Sequence, residues 1–164
     1  MWSLVQHQLE NARLLAMHDK QRPRQASLRR AVSTAYYAVF QALCATCADA
    51  LVKSRSPWEA YTPVFRAPDH YRTAQTLLQG SPAIASELQR VGTAFKELLA
   101  AREWADYSPE PRPNFEEGRP CFTREETIAL IEVAEAAVAI LDRLDEDARL
   151  KLAVRLVTRT RKPT

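Results

Sequence analysis

The chain has 164 residues, a length that fits one domain with a single sizeable core. Its apolar share of 46% and charged share of 26% are typical of a soluble globular protein, and its net charge of +3 is too small to identify a nucleic-acid binder. Only 3 residues are glycine and period-two apolar runs are hard to find, which argues against a β-sheet. We therefore expect one all-α domain over residues 1–164.

The first predicted helix runs from Ser3, a candidate N-cap, to His18, and a proline at position 23 separates it from the second. Its inward-facing residues are expected to be Leu4, Leu9, Ala12 and Leu15. The second helix, from about Arg24 to Lys53, has an apolar stripe at helical spacing made of Leu28, Val32, Tyr36, Phe40, Leu43, Cys47 and Leu51.

Residues 54–69 are rich in proline and aromatic side chains, which predicts a loop containing one short helix. A second short helix is expected from His70 to Leu78, ended by Gly80. The third long helix should begin with Ser81 as its cap and Pro82 in its first turn, and should end near Asp106.

A proline-rich loop follows over residues 108–122, and the sequence from Thr123 to Glu126 is a capping box that starts the fourth long helix. Near Leu144 this helix either continues or bends into a last one. The prediction is an up-and-down bundle of four to five main helices.

The run 31–48 has no charged residue and is long enough to span a membrane, but its polar members favour a buried helix. The first residues lack a basic leader followed by an apolar block, so no secretory signal is expected. Three cysteines without an export signal suit a reducing compartment. We therefore expect a cytoplasmic protein with no membrane part.

The carboxyl end, residues 148–164, carries six basic residues and no acidic one. If this segment is helical, one face presents Lys151, Arg155, Arg159 and Lys162. The face is either solvated, with a frayed end, or a surface that contacts backbone phosphate without reading sequence.

Arg102 extends the apolar stripe of the third long helix, where a permanent charge needs a carboxylate or a water-filled cleft. Asp106, one turn later, is the nearest candidate partner. Either the two residues only close the helix end, or Arg102 holds a phosphate beside the hydroxyl of Tyr107.

Two further candidate binding positions lie on the second helix. Arg29 and Arg30 are in its first turns, where the helix dipole disfavours cations unless they contact carboxylate or phosphate. Tyr37 faces away from the core residue Tyr36, so it either packs or lines a groove.

Residues 25–143 resemble the HEPN family of helical domains. The resemblance is carried by Arg29-Arg30-Ala31, Ser33, Ala35-Tyr36-Tyr37-Ala38, Phe40, His70, Arg102 and Ala105-Asp106-Tyr107. It implies RNA, a nucleotide or a nucleotidyltransferase protein as partner, in some members as one half of a toxin–antitoxin pair. Ribonucleases of the family carry an arginine, four to six residues and a histidine before Asp-Tyr. Ala105 occupies the histidine position here, and Ala100 the arginine position five residues earlier.

Without that histidine, RNA cleavage loses the side chain best suited to proton transfer near neutral pH. His70 is either an exposed residue that opens a short helix or a substitute that approaches from another segment. The spacing of Arg13 and His18 matches the ribonuclease pattern, but it lies outside the region of resemblance.

Cys44 and Cys47 form a lone C-x-x-C inside a predicted helix and are expected to be packing residues, so no metal site is predicted. No cofactor is expected either.

Three functions follow from these observations. The first is a non-catalytic RNA-binding, nucleotide-binding or partner module that forms a homodimer. The second is a metal-independent endoribonuclease using Arg102 and Tyr107, with His70 as a further candidate. The third is a purely structural helical adaptor.

Overall fold

The computed structural model describes residues 2–52, 57–79, 86–109 and 121–158. Within these ranges the chain forms seven α-helices and no strand, which confirms the all-α bundle. The helices are α1 Ser3–Met17, α2 Gln25–Val52, α3 Trp58–Phe65, α4 His70–Leu78, α5 Ser86–Tyr107, α6 Arg124–Arg143 and α7 Glu146–Val157. The predicted caps Gly80, Ser81 and Pro82 lie outside the described residues, as does Lys53.

Helix α2 is the centre of the bundle, because α1, α3, α5, α6 and α7 all pack against it. Most of its predicted apolar stripe is fully buried, whereas Leu51 at its end is 38% exposed. By length and composition α2 is the one helix in the described ranges that could cross a membrane, but 61% of its apolar window is buried inside the bundle. The burial is that of a core helix.

Helix α1 is rotated relative to the predicted inward face. Leu4 is 58% exposed and Val5 is buried, so the buried face consists of Val5, Leu9, Ala12 and Ala16. Ser3 is the first helical residue rather than the cap, since Trp2 occupies the N-cap position without a side-chain capping bond. The indole Nε1 of Trp2 donates to Asp49 Oδ2 at 2.7 Å, which ties the start of α1 to the end of α2.

The short helices α3 and α4 are held by side-chain contacts. The hydroxyl of Tyr61 in α3 donates to the other oxygen of Asp49 at 2.9 Å. Helix α4 is capped by Asp69, whose carboxylate accepts from the backbone N–H of Arg72 at 2.8 Å. Helix α4 packs on α5 at Gly92, where an added Cβ would lie 2.8 Å from Leu77 Cβ and 3.0 Å from its carbonyl carbon.

The last two helices settle the alternative near Leu144. The capping box at Thr123 is present, with reciprocal bonds of 3.1 and 3.2 Å to Glu126. Leu144 has an extended backbone (ψ 137°), and Asp145 caps a separate α7 by accepting from the N–H of Ala148 at 2.7 Å. The five longer helices match the predicted number of main helices.

Candidate functional site

The ion pair expected within α5 is present, and α2 supports it. Arg102 Nε lies 2.8 Å from Asp106 Oδ2, and the two side chains are 16% and 26% exposed. The Nε–H lacks hydrogen-bond geometry toward that oxygen, so the contact is ionic rather than a hydrogen bond. Ser33, buried in α2, donates its hydroxyl to Asp106 Oδ1 at 2.9 Å, with Oδ2 at 3.1 Å. Ser33 therefore fixes the carboxylate that faces Arg102.

Two tyrosines hold the other side of the guanidinium. Arg102 Nη2 donates to the hydroxyl oxygens of Tyr37 at 2.8 Å and Tyr107 at 3.2 Å. The Arg102 Cζ also lies 5.5 Å from the ring centroid of Tyr37 and 5.0 Å from that of Tyr107, within cation–π range. Burial opposes the charge, but the bond to Tyr37 and the neighbouring groups outweigh it and raise the pKa of Arg102. The arginine is therefore charged and fixed in direction.

The cluster is open to solvent at Tyr107, whose side chain is 71% exposed. We call the group formed by Ser33, Tyr37, Arg102, Asp106 and Tyr107 the Arg102 cluster. A hydroxyl oxygen that accepts from a guanidinium keeps its own hydrogen for another acceptor. The cluster can therefore offer two O–H donors beside a fixed cation.

His70 is half-buried against α2. The expectation that it is an exposed residue at the start of a short helix is therefore wrong in its exposure. Its Nδ1 lies 2.5 Å from the hydroxyl of the buried Tyr36, and its ring centroid is 4.0 Å from that of Phe40. Burial, followed by the charge of Arg102, lowers the pKa of His70, against an opposing effect of Asp69. The imidazole is therefore neutral near pH 7, and it shares the Tyr36 ring with Arg102, whose Cζ lies 5.9 Å from that ring's centroid.

The arginines at the start of α2 have different surroundings. Arg29 donates from Nη1 to the carbonyl oxygen of Ser108 at 2.7 Å and from Nη2 to that of Pro109 at 3.2 Å. These carbonyls follow the end of α5, where a cation offsets the helix dipole. Arg29 therefore contacts backbone carbonyl oxygens, and Arg30 is exposed.

The basic face of α7 is only partly described, since Arg159 and Lys162 lie outside the described residues. The amine of Lys151 pairs with Asp147 in the same helix at 2.5 Å. Arg155 is half-buried. Within the described part of α7, neither Lys151 nor Arg155 has a hydrogen bond or ion pair to the Arg102 cluster, so the basic face is a separate feature.

The cysteine pair has the environment of packing residues. Burial raises the pKa of both Cys44 and Cys47 to about 12, so both are protonated thiols at neutral pH. In the ranges that the structure describes, no group of three or more His, Cys, Asp or Glu side chains is placed to hold a metal ion. Arg13 and His18 have separate partners, Glu135 at 2.6 Å and Asp19 at 3.3 Å.

Sequence reasoning identified Arg102, Asp106, Tyr37 and Tyr107 individually, and the structure brings these four together. It missed the role of Ser33, which is 73 residues from Asp106 along the chain. Two signals mark this position: a hydroxyl side chain in a mostly apolar helix, and the place of Ser33 among the residues that carry the HEPN resemblance. Comparison of the chain with protein-family models, curated proteins and solved structures finds no match in any of the three, so the HEPN resemblance stays an expectation.

Proposed function

We propose that this protein is a non-catalytic RNA-binding module that holds a backbone phosphate at the Arg102 cluster. The observation that carries the proposal is the guanidinium fixed between two tyrosine hydroxyls at a solvent-open edge. Each hydroxyl accepts from Arg102 and keeps its own hydrogen, so each can donate to an outside acceptor. A phosphate oxygen is an acceptor suited to such a set of donors.

We expect the Arg102 cluster to bind RNA through one local hydrogen-bonded contact rather than through long-range attraction to a charged surface. Asp106 neutralises much of the charge of Arg102, which limits long-range attraction. One phosphate contact gives a salt dependence with a slope of about −0.7 to −0.9 in a double-logarithmic plot. We therefore expect RNA binding that weakens only slightly as salt is raised.

A second candidate function, metal-independent RNA cleavage, is favoured by one specific observation. His70 and Arg102 lie against the same tyrosine pair although they come from different helices. A neutral imidazole is the form that accepts a proton. Its Nδ1, however, already shares a hydrogen with Tyr36, and burial raises the pKa of that hydroxyl, so the pair is better suited to packing than to proton transfer. The non-catalytic function is therefore preferred.

Two protein partners are proposed, one from the surface of α1 and one from the family resemblance. Two large apolar side chains of α1, Leu14 and Met17, are 67% and 56% exposed. Exposed apolar side chains on one helix support a protein interface, and we propose a second copy of the chain as its occupant. A nucleotidyltransferase partner, with which the chain would form a toxin–antitoxin pair, is proposed from the resemblance alone. A cytoplasmic location is proposed with it.

The test is incubation of the full chain with labelled RNA in the presence of a chelator, reading binding and cleavage together. Binding without cleavage is expected. Arg102→Ala should weaken binding about ten- to a hundredfold, because it removes a charge-assisted bond and the anchor of both tyrosines. Tyr107→Phe, at an exposed position, should weaken it about fivefold.

Arg90→Ala is the matched control. Arg90 is an exposed arginine on the same helix, and its substitution removes the same charge as Arg102→Ala. It should leave affinity nearly unchanged. Cleavage by the wild type that disappears in Arg102→Ala would establish the ribonuclease function instead. Absence of RNA binding even at low salt would leave the structural adaptor as the remaining function.

Light scattering on a dilution series tests the homodimer. A protein that is monomeric at every concentration would exclude it.

A further inference from the structure

A cavity of about 320 Å³ lies between the start of α1, the middle of α2 and α3. Its volume is at the lower end of the range for small-molecule sites, about 300 to 1,000 Å³. Its walls are aromatic and aliphatic, with Val5 and Ala45 buried among them; the aromatic members are Trp2, Trp58, Tyr61 and Phe65. None of its lining residues belongs to the Arg102 cluster.

The aromatic walls are held in place by contacts outside the cavity. The two oxygens of Asp49 accept from the indole of Trp2 at 2.7 Å and from the hydroxyl of Tyr61 at 2.9 Å. The ring of Tyr61 stacks between Trp58 and Phe65, with centroid distances of 5.5 and 6.1 Å. Trp2 and Tyr61 are therefore fixed before binding, which lowers the ordering free energy that binding costs, whereas Trp58 is 63% exposed.

Two polar side chains of the cavity lack partners. Gln41 lines it from α2, and its Oε1 is buried without a hydrogen-bond partner. A buried acceptor left unpaired is unfavourable, and rotation of the Gln41 amide toward the cavity would let a ligand O–H or N–H group satisfy it. Arg66 lines it from the end of α3, and within the described part of the chain its exposed guanidinium has no ion-pair partner. The cavity thus combines an apolar body with one acceptor and one cation.

We infer that this cavity binds a small arylalkanoic acid with a hydroxyl or N–H group on its ring. The aryl group packs among the aromatic walls, the carboxylate pairs with Arg66, and the ring hydroxyl or N–H donates to Gln41 Oε1. The cation selects an acid over a neutral molecule of the same shape, and the acceptor selects a ring that carries a donor. This site and its ligand are independent of the proposed RNA contact.

The probe is 3-(4-hydroxyphenyl)propanoate, compared with its amide and with 3-phenylpropanoate. Of the 3 tryptophans of the chain, Trp2 and Trp58 line the cavity and Trp104 does not. Tryptophan emission of the Trp104→Phe protein therefore reports on the site. We expect a saturable change with a Kd below about 1 mM. The amide and the ring without the hydroxyl should each bind at least about fivefold more weakly, because each loses one polar contact.

Three variants assign the contacts. Arg66→Gln should abolish the preference for acid over amide, and Gln41→Leu the preference for the hydroxylated ring. Ala45→Leu should fill the cavity and abolish binding while circular dichroism shows the helical content of the wild type; if it does not fold, the other two variants decide. No saturable response to any of the three probes, equal affinity for acid and amide, or full binding by folded Ala45→Leu would each overturn the assignment.

Discussion

Replacing Gly92 with alanine should destabilise the protein, although alanine is the better helix former. In the interior of a helix, alanine is favoured over glycine by about 1 kcal/mol. Gly92 is buried in α5, and the added Cβ would meet Leu77 of α4 at 2.8 Å from its Cβ and 3.0 Å from its carbonyl carbon. Neither atom can rotate away, because both are fixed by the backbone of α4. The methyl group can be accommodated only if α4 moves.

The size of the effect follows from these opposing contributions. Overpacking a well-packed interior costs about 1 to 3 kcal/mol, and a contact with backbone atoms belongs at the upper end. After subtraction of the helix-propensity gain, the free energy of unfolding should fall by about 1 to 2 kcal/mol. For a chain of this length, that loss lowers Tm by about 2 to 8 °C.

Urea unfolding followed by circular dichroism measures the change, with Ala100→Gly as the control. Ala100 is exposed on the same helix, so this reverse substitution isolates the propensity contribution and should cost about 1 kcal/mol. Leu77→Ala should not rescue Gly92→Ala, since alanine retains the Cβ that makes the contact. If Gly92→Ala instead raises stability by about what Ala100→Gly loses, α4 does not pack on α5 as described.

Two further predictions concern a helix cap and a histidine. Thr123→Ala should lower the free energy of unfolding by about 1 kcal/mol through loss of the capping box with Glu126. Thr123→Ser should keep the capping box and the stability, and equal losses for the two variants in thermal unfolding would contradict the cap. The pKa of His70 is lowered in the folded state below its ordinary 6.5 by burial and by Arg102, so the unfolded chain binds the proton more readily. The stability that depends on neutral His70 is therefore present above pH 6.5 and lost as pH falls through the lowered pKa. Denaturant unfolding at several pH values should show a smaller loss in His70→Gln than in the wild type, and identical profiles would refute the contribution.

The elements that sequence reasoning predicted well are those that local chemistry determines. The capping box at Thr123 and the proline-free stripe of α2 need no knowledge of the rest of the chain. The inward face of α1 was predicted only in part. Leu9 and Ala12 are buried as expected, but apolar side chains occur on more than one face of the helix, and only packing on α2 and α6 selects Val5 over Leu4. A helix with several apolar faces has no unique inward side in its own sequence.

The contacts of the candidate site also fall into two groups, those within one helix, which the sequence predicts, and those between helices, which it does not. The contact of Arg102 with Asp106 follows from a separation of four residues on one helix. The contacts of Asp106 with Ser33, of Arg29 with the end of α5, and of His70 with Tyr36 join separate helices. Such contacts depend on how helices are placed beside each other, which periodicity does not specify.

The central position of α2 has a consequence for how the protein is made. Its apolar window leaves the ribosome before α5, α6 and α7, which cover most of its surface, are synthesised. During that interval the nascent chain exposes an uncharged stretch of membrane-spanning length, the kind of surface that aggregates or recruits a chaperone. The helix that organises the finished bundle is therefore also the segment most in need of protection until α5, α6 and α7 have been synthesised.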